Sequence, residues 1–175
     1  IKVSAVGAVA AGTAAVMLNT GKLFNLSNSL KDPALAIPQD AKKTFSTCGT
    51  CSRTYLTLLN NEFGYHQITR ELASDPLAGG LMNTQNQCGM LWGASLAVGA
   101  EAYRRCEEVD QAIGVAILAT QKVMASFAEQ EHTINCREIT HCDFSNNWSF
   151  AKYFLSGRFL HCFKMAEEWT PEAIR

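Results

Sequence analysis

Apolar residues in this chain recur at helical spacing, and no stretch alternates between apolar and polar residues as a half-buried strand requires. Residues 109–131 repeat their apolar side chains about every 3.6 residues, and residues 88–105 form a second long helical stretch. The same reasoning predicts shorter helices at residues 51–61, 66–74, 136–140 and 149–168. The pattern therefore predicts an all-α helical bundle.

Charge and composition exclude several classes of protein. The chain has 175 residues, 15 of them basic and 16 acidic, so its net charge of -1 gives no global electrostatic reason to expect a nucleic acid or an anionic membrane surface as the partner. Hydrophobic residues make up 47% of the chain, which is enough for a single core, and there are only four prolines and twelve glycines. We therefore expect a globular protein and not a low-complexity one.

The N-terminal residues 3–21 carry no charge and are rich in alanine and glycine. They resemble the apolar part of a bacterial export signal of the twin-arginine class, in which Ile1 and Lys2 would end the recognition motif. At about 1.5 Å per residue, a helix of this length also spans roughly the hydrocarbon core of a bilayer. We expect residues 1–21 to form an export-signal-like helix that anchors the protein if it is retained, and we expect a periplasmic or other extracytoplasmic location. The alternative is a buried helix of a globular protein.

The rest of the chain divides into a short polar segment and one domain. Residues 22–43 lose the helical period and collect asparagine, serine, aspartate and proline, which predicts a linker or surface arm. Residues 44–175 are predicted to form one helical domain that contains all seven cysteines. Because seven is odd, at least one cysteine lies outside any intrachain disulfide.

The spacing of the cysteines limits which of them can share a site. Cys48 and Cys51 form a Cys-x-x-Cys pair, whose sulfurs can reach one metal ion or each other. Cys88 begins a predicted helix, where free backbone N–H groups and the helix dipole favour a thiolate. Cys106 follows 18 residues later, about 27 Å along a straight helix, so it cannot share a site with Cys88. We interpret Cys106 as an isolated thiol.

Small residues follow Cys88 on one face of the same predicted helix. Gly89, Gly93, Ala97 and Ala100 recur at spacings of four, four and three residues, so that a second helix can approach closely. Each interior glycine costs about 1 kcal/mol of helix propensity relative to alanine. Two of them on one stripe indicate a packing or site requirement.

Four cysteines lie in segments whose order and composition form a pattern. Cys51 opens a helix after a turn of small residues, Cys88-Gly89 precedes Gly93 and Ala94, Cys136 lies in an Asn-Cys-Arg-Glu-Ile segment, and Cys162 lies in the last predicted helix. Over residues 47–169 this pattern resembles the C-GCAxxG-C-C family of redox-active proteins. The chain departs from the family pattern in two places, because Met90 replaces an alanine and the loop at residues 81–87 lacks the usual glycines.

The resemblance implies a redox or metal-binding role, and the related split-Soret cytochromes carry an iron–sulfur site on a similar helical frame. By this resemblance the cluster ligands are Cys51, Cys88, Cys136 and Cys162. We expect a [2Fe–2S] cluster, with a [4Fe–4S] cluster as the alternative. Covalent c-type haem is not expected, because the Cys48-Gly49-Thr50-Cys51 segment is followed by Ser52 and not by histidine.

Three further residues are weaker candidates for metal ligands: Cys48, Cys142 and His161. The histidines form no His-x-x-x-His pair, and a lone histidine is more often a hydrogen-bonded structural residue. The sequence contains no phosphate-binding glycine loop, hydrolytic serine motif or HExxH segment. We therefore expect an electron-transfer or accessory subunit more than a stand-alone enzyme.

Three hypotheses about function remain open. The preferred one is an exported electron-transfer protein with an iron–sulfur cluster, working with a redox protein partner or as a subunit of a membrane complex reached through residues 3–21. The second is a thiol–disulfide redox protein that uses Cys48 and Cys51, and the third is a structural subunit without a cofactor. Thiolates drawn from four separate elements suit a cluster better than disulfide exchange, which needs only one exposed pair.

Overall fold

The structure, a computed structural model, describes residues 40–175, and within this range the regular structure is helical apart from one isolated bridge. The elements follow in the order α1 (Ala41–Cys48), α2 (Cys51–Glu62), α3 (Ile68–Ala73), a 3₁₀ turn (Asp75–Leu77), α4 (Gly89–Arg105), α5 (Val109–Glu131), α6 (Cys136–Thr140), α7 (Asn147–Leu155) and α8 (Phe159–Ile174). The predicted all-α class is confirmed. The predictions for residues 1–21, and for the linker up to residue 39, lie outside the described residues.

Helix α4 is the centre of the bundle. It packs along α5 on one side and along α2 on the other, while α8 covers α2 and α5, and α1 lies against both α2 and α8. The Tyr55 hydroxyl of α2 donates a hydrogen bond of 2.9 Å to the Ala166 carbonyl of α8. Apolar side chains from four helices fill the buried centre, the largest being Tyr55, Leu59, Met90, Leu91, Phe127 and Trp169.

Helices α2 and α4 touch backbone to backbone. A Cβ atom added at Gly93 would lie 2.0 Å from the Ser52 carbonyl oxygen, so any side chain there would push the two helices apart. At Gly99, further along α4, a Cβ atom would meet open space. The predicted close approach is therefore confirmed at Gly93, and it brings the first turns of α2 and α4 to the same end of the bundle.

The helices differ from the sequence prediction mainly in three places. Helix α1 begins at Ala41, within the segment predicted as a linker, because Asp40 caps it by accepting a hydrogen bond of 2.8 Å from the Lys43 N–H. The single helix predicted at residues 149–168 is wrong, because the chain turns at Gly157, with φ at 72°, between α7 and α8. Helix α7 starts earlier than predicted, since the Asn146 side chain accepts hydrogen bonds from the N–H groups of residues 148 and 149.

Helix α5 matches its predicted bounds and has two distinct faces. Val123 and Phe127 are buried against the bundle, whereas Val109, Ile113 and Ile117 are exposed. Within residues 40–175 it is the one helix long and apolar enough to cross a membrane by length and composition. Because this helix packs along α4, its apolar residues also form one side of the bundle core.

Candidate functional site: a buried thiol pocket

The four cysteines selected by the sequence pattern lie at one end of the bundle. Cys51 is the first residue of α2, Cys88 caps the start of α4, Cys136 is the first residue of α6, and Cys162 lies in the first turn of α8. Burial, followed by charge on the other three thiols, raises the pKa of Cys88 well above its usual range. The four thiols therefore share one buried environment, which we call the thiol pocket.

A short backbone pairing holds two of these cysteines side by side. Gln87 and Asn135 form an isolated antiparallel bridge just before α4 and α6 begin. The Cys88 N–H donates to the Ile134 carbonyl at 2.7 Å, and the Cys136 N–H donates to the Asn86 carbonyl at 2.7 Å. The segment before α6 thus holds the backbone of Cys88, and the segment before α4 holds the backbone of Cys136.

Cys51 lies in a cradle of backbone N–H groups. The N–H groups of Gly79, Ser52 and Gly89 point at its sulfur and oppose the effect of burial, which nevertheless raises the pKa of this thiol. A Cβ atom at Gly89 would lie 2.4 Å from the Cys51 sulfur. The glycine after Cys88 is therefore the residue that makes room for a second cysteine of the pocket.

The loop between the 3₁₀ turn and α4 has a left-handed backbone. Five successive residues from Gly79 to Asn83 have positive φ, between 49° and 75°. Non-glycine residues in this conformation each cost roughly 1–2 kcal/mol, so Leu81, Met82 and Asn83 hold backbone conformations that glycine would adopt more easily. The Gln85 side chain fixes the loop, because it accepts a hydrogen bond from the Phe144 N–H at 3.0 Å and donates one to the Cys142 carbonyl.

Tyr153 is a pocket residue that the sequence did not reveal. Its hydroxyl oxygen lies 3.2 Å from the Cys162 sulfur, and the residue is buried at 7% exposure. Burial, followed by charge on Cys162, raises the pKa of Tyr153, so the phenol keeps its proton. No motif marks this tyrosine, since it sits among aromatic residues whose pattern indicates ordinary packing.

The pocket has no counter-ion for its thiolates. Burial is the largest influence on both Cys136, whose pKa it raises to about 12, and Cys162, whose pKa it raises to about 11. Within residues 40–175, no lysine or arginine is among the groups that shift the pKa of the four thiols. The raised pKa values favour the protonated thiols at neutral pH, and a positive charge in the pocket would favour the thiolates.

The weaker candidates are placed differently. The Cys48 sulfur, at the end of α1, lies 3.8 Å from the hydroxyl of Thr57, a residue in the middle of α2. Cys142 is buried beside the pocket, where its charge affects Cys136, and its sulfur contacts the Ser149 carbonyl at 3.4 Å. His161 is half-exposed, with Nε2 lying 3.5 Å from the Glu131 carboxylate.

Cys106 ends α4 at the opposite end from Cys88, as its spacing predicts. In the described part of the chain, no group of three or more histidine, cysteine, aspartate or glutamate side chains is arranged to hold a metal ion. The site is therefore a set of neighbouring thiols rather than a closed cage for one ion.

The comparison with protein families agrees with this arrangement. The model of the family described as "putative redox-active protein (C_GCAxxG_C_C)" matches residues 49–171, which include all four pocket cysteines. The chain belongs to the C_GCAxxG_C_C family. No curated protein and no solved structure matches this family member. The resemblance inferred from the cysteine segments is confirmed.

Proposed function

We propose that this C_GCAxxG_C_C protein transfers electrons and that Cys51, Cys88, Cys136 and Cys162 hold an iron–sulfur cluster, with [2Fe–2S] preferred and [4Fe–4S] as the alternative. The observation that carries the proposal is that thiols from four helices, two of them buried and two partly buried, influence one another's pKa at one end of the bundle, with no lysine or arginine of residues 40–175 among the groups that shift them.

The donor set fits such a group. Thiolates are soft ligands that select iron–sulfur clusters, zinc or copper(I). A single zinc ion binds four thiolates at about 2.3 Å in a tetrahedron, whereas a [2Fe–2S] cluster would take two thiolates on each of its two irons. The pocket thiols influence one another's pKa, which supports their being close neighbours.

The residues around the sulfurs have defined roles in this proposal. The N–H groups of Gly79, Ser52 and Gly89 stabilise negative charge on the Cys51 sulfur. Once the Cys162 sulfur is a thiolate it can only accept a hydrogen bond, so the Tyr153 hydroxyl must be the donor of this bond. When bound, the cluster supplies a one-electron redox couple. The surrounding apolar core keeps water away from it.

The structure favours this function over disulfide exchange. An exchanging thiol needs exposure and a lowered pKa, whereas burial raises the pKa of the Cys51 thiol. The Cys48 sulfur contacts Thr57 instead. The two sulfurs of the Cys-x-x-Cys pair therefore occupy different surroundings.

Anaerobic purification tests the proposal. We expect a brown protein with broad absorption at wavelengths above those of the aromatic residues, and with iron and acid-labile sulfide in equal amounts. A colourless protein that contains zinc, or no metal after reconstitution with iron and sulfide, would contradict it. Electron paramagnetic resonance of the reduced protein distinguishes the two cluster types.

We also propose that the protein works outside the cytoplasm, attached to the membrane or to a redox complex through residues 3–21. The support is the uncharged, alanine-rich composition of these residues, which is typical of an export signal or anchor. Removing residues 1–21 should release a soluble protein that keeps its iron. A truncated protein that sediments with membranes as firmly as the full chain would disprove the anchor.

A further inference from the structure

Helix α7 exposes a group of large apolar side chains next to the thiol pocket. We call this surface the aromatic face and define it as Trp148, Phe150, Phe154 and Leu155 of α7 with Leu160 of α8. Trp148 is 74% exposed and Leu155 is 82% exposed. A helix that is apolar around most of its circumference is normally covered, so this face has an occupant.

The charge around the face limits what the occupant can be. Residues 144–166 contain the cations Lys152, Arg158 and Lys164 and no aspartate or glutamate. Lys164 pairs with Glu168 at 3.2 Å, whereas Lys152 and Arg158 are exposed and have no carboxylate partner within residues 40–175. An anionic occupant is favoured. A second copy of the same basic face is disfavoured by repulsion, and so are residues 22–39, which bring two lysines and one aspartate.

The aromatic face is continuous with the packing of α1 on α8. Helix α1 packs on α8 with the Phe45 and Phe163 ring centroids 4.3 Å apart. Phe163 in turn contacts Phe159, and Phe159 stacks on Phe154 of the aromatic face. Aromatic contacts therefore run from α1, the first described helix, to this face.

We propose that the aromatic face inserts into the headgroup region of an anionic lipid bilayer. Trp148, Leu155 and Leu160 enter the interface, and Lys152 and Arg158 bind lipid phosphates. An exposed tryptophan beside leucine, phenylalanine and basic residues is the composition of helices that lie in a membrane interface. The proposal does not depend on the cofactor, because neither the face nor its cations contain a pocket ligand.

The test uses the fluorescence of Trp148 in the full-length chain. The difference in emission between the wild type and Trp148→Phe reports this residue alone, because the contributions of partly buried Trp92 and buried Trp169 cancel. Vesicles of phosphatidylcholine with phosphatidylglycerol, both carrying brominated acyl chains, should quench the Trp148 signal. Pure phosphatidylcholine vesicles should quench it much less, and salt should weaken the effect.

A charge variant and its matched control complete the test. Lys152→Gln with Arg158→Gln should weaken Trp148 quenching by the anionic vesicles roughly tenfold in lipid concentration. Lys122→Gln with Arg70→Gln, which removes two exposed cations elsewhere, should leave it unchanged.

Quenching that is absent, or equal with and without phosphatidylglycerol, overturns the proposal, because residues 3–21 alone would then explain membrane attachment. A Trp148 change with polyglutamate but not with vesicles assigns the face to an acidic protein. A change that depends only on protein concentration assigns it to a second copy. Iron content separates all these outcomes from a failure of the proposed cluster.

Discussion

The two ends of α4 handle buried polar groups in opposite ways. Near its C-terminal end, the Glu101 carboxylate is buried, yet the Arg104 guanidinium binds it at 2.5 and 2.6 Å and Arg105 binds it too. Burial raises the pKa of Glu101, but these hydrogen bonds outweigh it and lower the pKa. At the N-terminal end, Cys88 has three neighbouring thiols and no cation.

This difference shows which end of α4 has polar groups without a charged partner in the described part of the chain. The C-terminal end satisfies its carboxylate within the chain and needs no ligand. Burial favours the protonated form of the pocket thiols, so in the proposed function an external cation would replace these protons. We therefore expect Cys88 to take part in binding and Cys106, at the other end of α4, to take no part in it.

The strongest test of this comparison is to substitute the cysteine at each end of α4. Cys88→Ser should remove most of the bound iron, because a hydroxyl is a harder and far less acidic ligand than a thiol. Cys106→Ser is the matched control and should leave the iron content unchanged. Iron and sulfide analysis of anaerobic protein measures both. Equal losses in the two variants would refute the assignment of the pocket.

Glycine substitutions test the packing of α4 at two depths. Gly93→Ala places a Cβ atom 2.0 Å from the Ser52 carbonyl oxygen, so we expect a loss of about 2–3 kcal/mol in the free energy of unfolding. Gly99→Ala meets open space and should stabilise the helix by about 0.5–1 kcal/mol. Urea denaturation of the two variants gives the values. Similar effects at both positions would mean that the close contact with α2 is not required.

Tyr153→Phe tests whether this tyrosine affects the reduction potential of the proposed cluster without being needed to bind it. The variant removes the hydrogen bond to the Cys162 sulfur and leaves all four thiols in place, so iron should be retained. A hydrogen bond to a ligating sulfur stabilises the more negative, reduced state, so losing about 1 kcal/mol lowers the potential by roughly 40 mV. Redox titration followed by absorbance measures this shift. Tyr103→Phe, at an exposed position of α4, should not shift it.

The metal-free protein should show a pH dependence that comes from the pocket. Burial raises the pKa of Cys136 to about 12 and of Cys162 to about 11, above the usual value of 9.0 in the unfolded chain. The folded protein then holds more protons, so stability is complete below pH 9 and declines as the pH rises towards 11. Urea denaturation between pH 7 and 10.5 measures it. A stability that rises with pH in this range would contradict neutral thiols.

Much of the fold was predictable because its helices are locally amphipathic. The bounds of α5 and α6 follow directly from periodicity and end residues, and the four pocket cysteines follow from the resemblance to the family. Helix α1 was missed because it depends on tertiary contacts such as that between Phe45 and Phe163. The turn at Gly157 was missed because one glycine in an apolar run does not by itself end a helix.

The parts of the pocket that were missed are those set by long-range geometry. Tyr153 reaches Cys162 across the turn that separates α7 from α8, which the sequence prediction had as one continuous helix. The left-handed loop and the bridge of Gln87 with Asn135 likewise have no local periodicity. Gly89 was noted as a small residue, but the atom it accommodates, the Cys51 sulfur, is remote in sequence.

The order of the pocket cysteines along the chain has a consequence for assembly. Helices α2 and α8 meet across a sequence separation of 111 residues at the hydrogen bond from Tyr55 to Ala166, and the pocket spans a similar separation. A group bound to all four sulfurs closes three successive loops in the chain, and loop closure removes entropy mainly from the unfolded ensemble. A group bound as proposed would therefore cross-link the whole domain, and its loss would lower the free energy of unfolding of the domain as a whole.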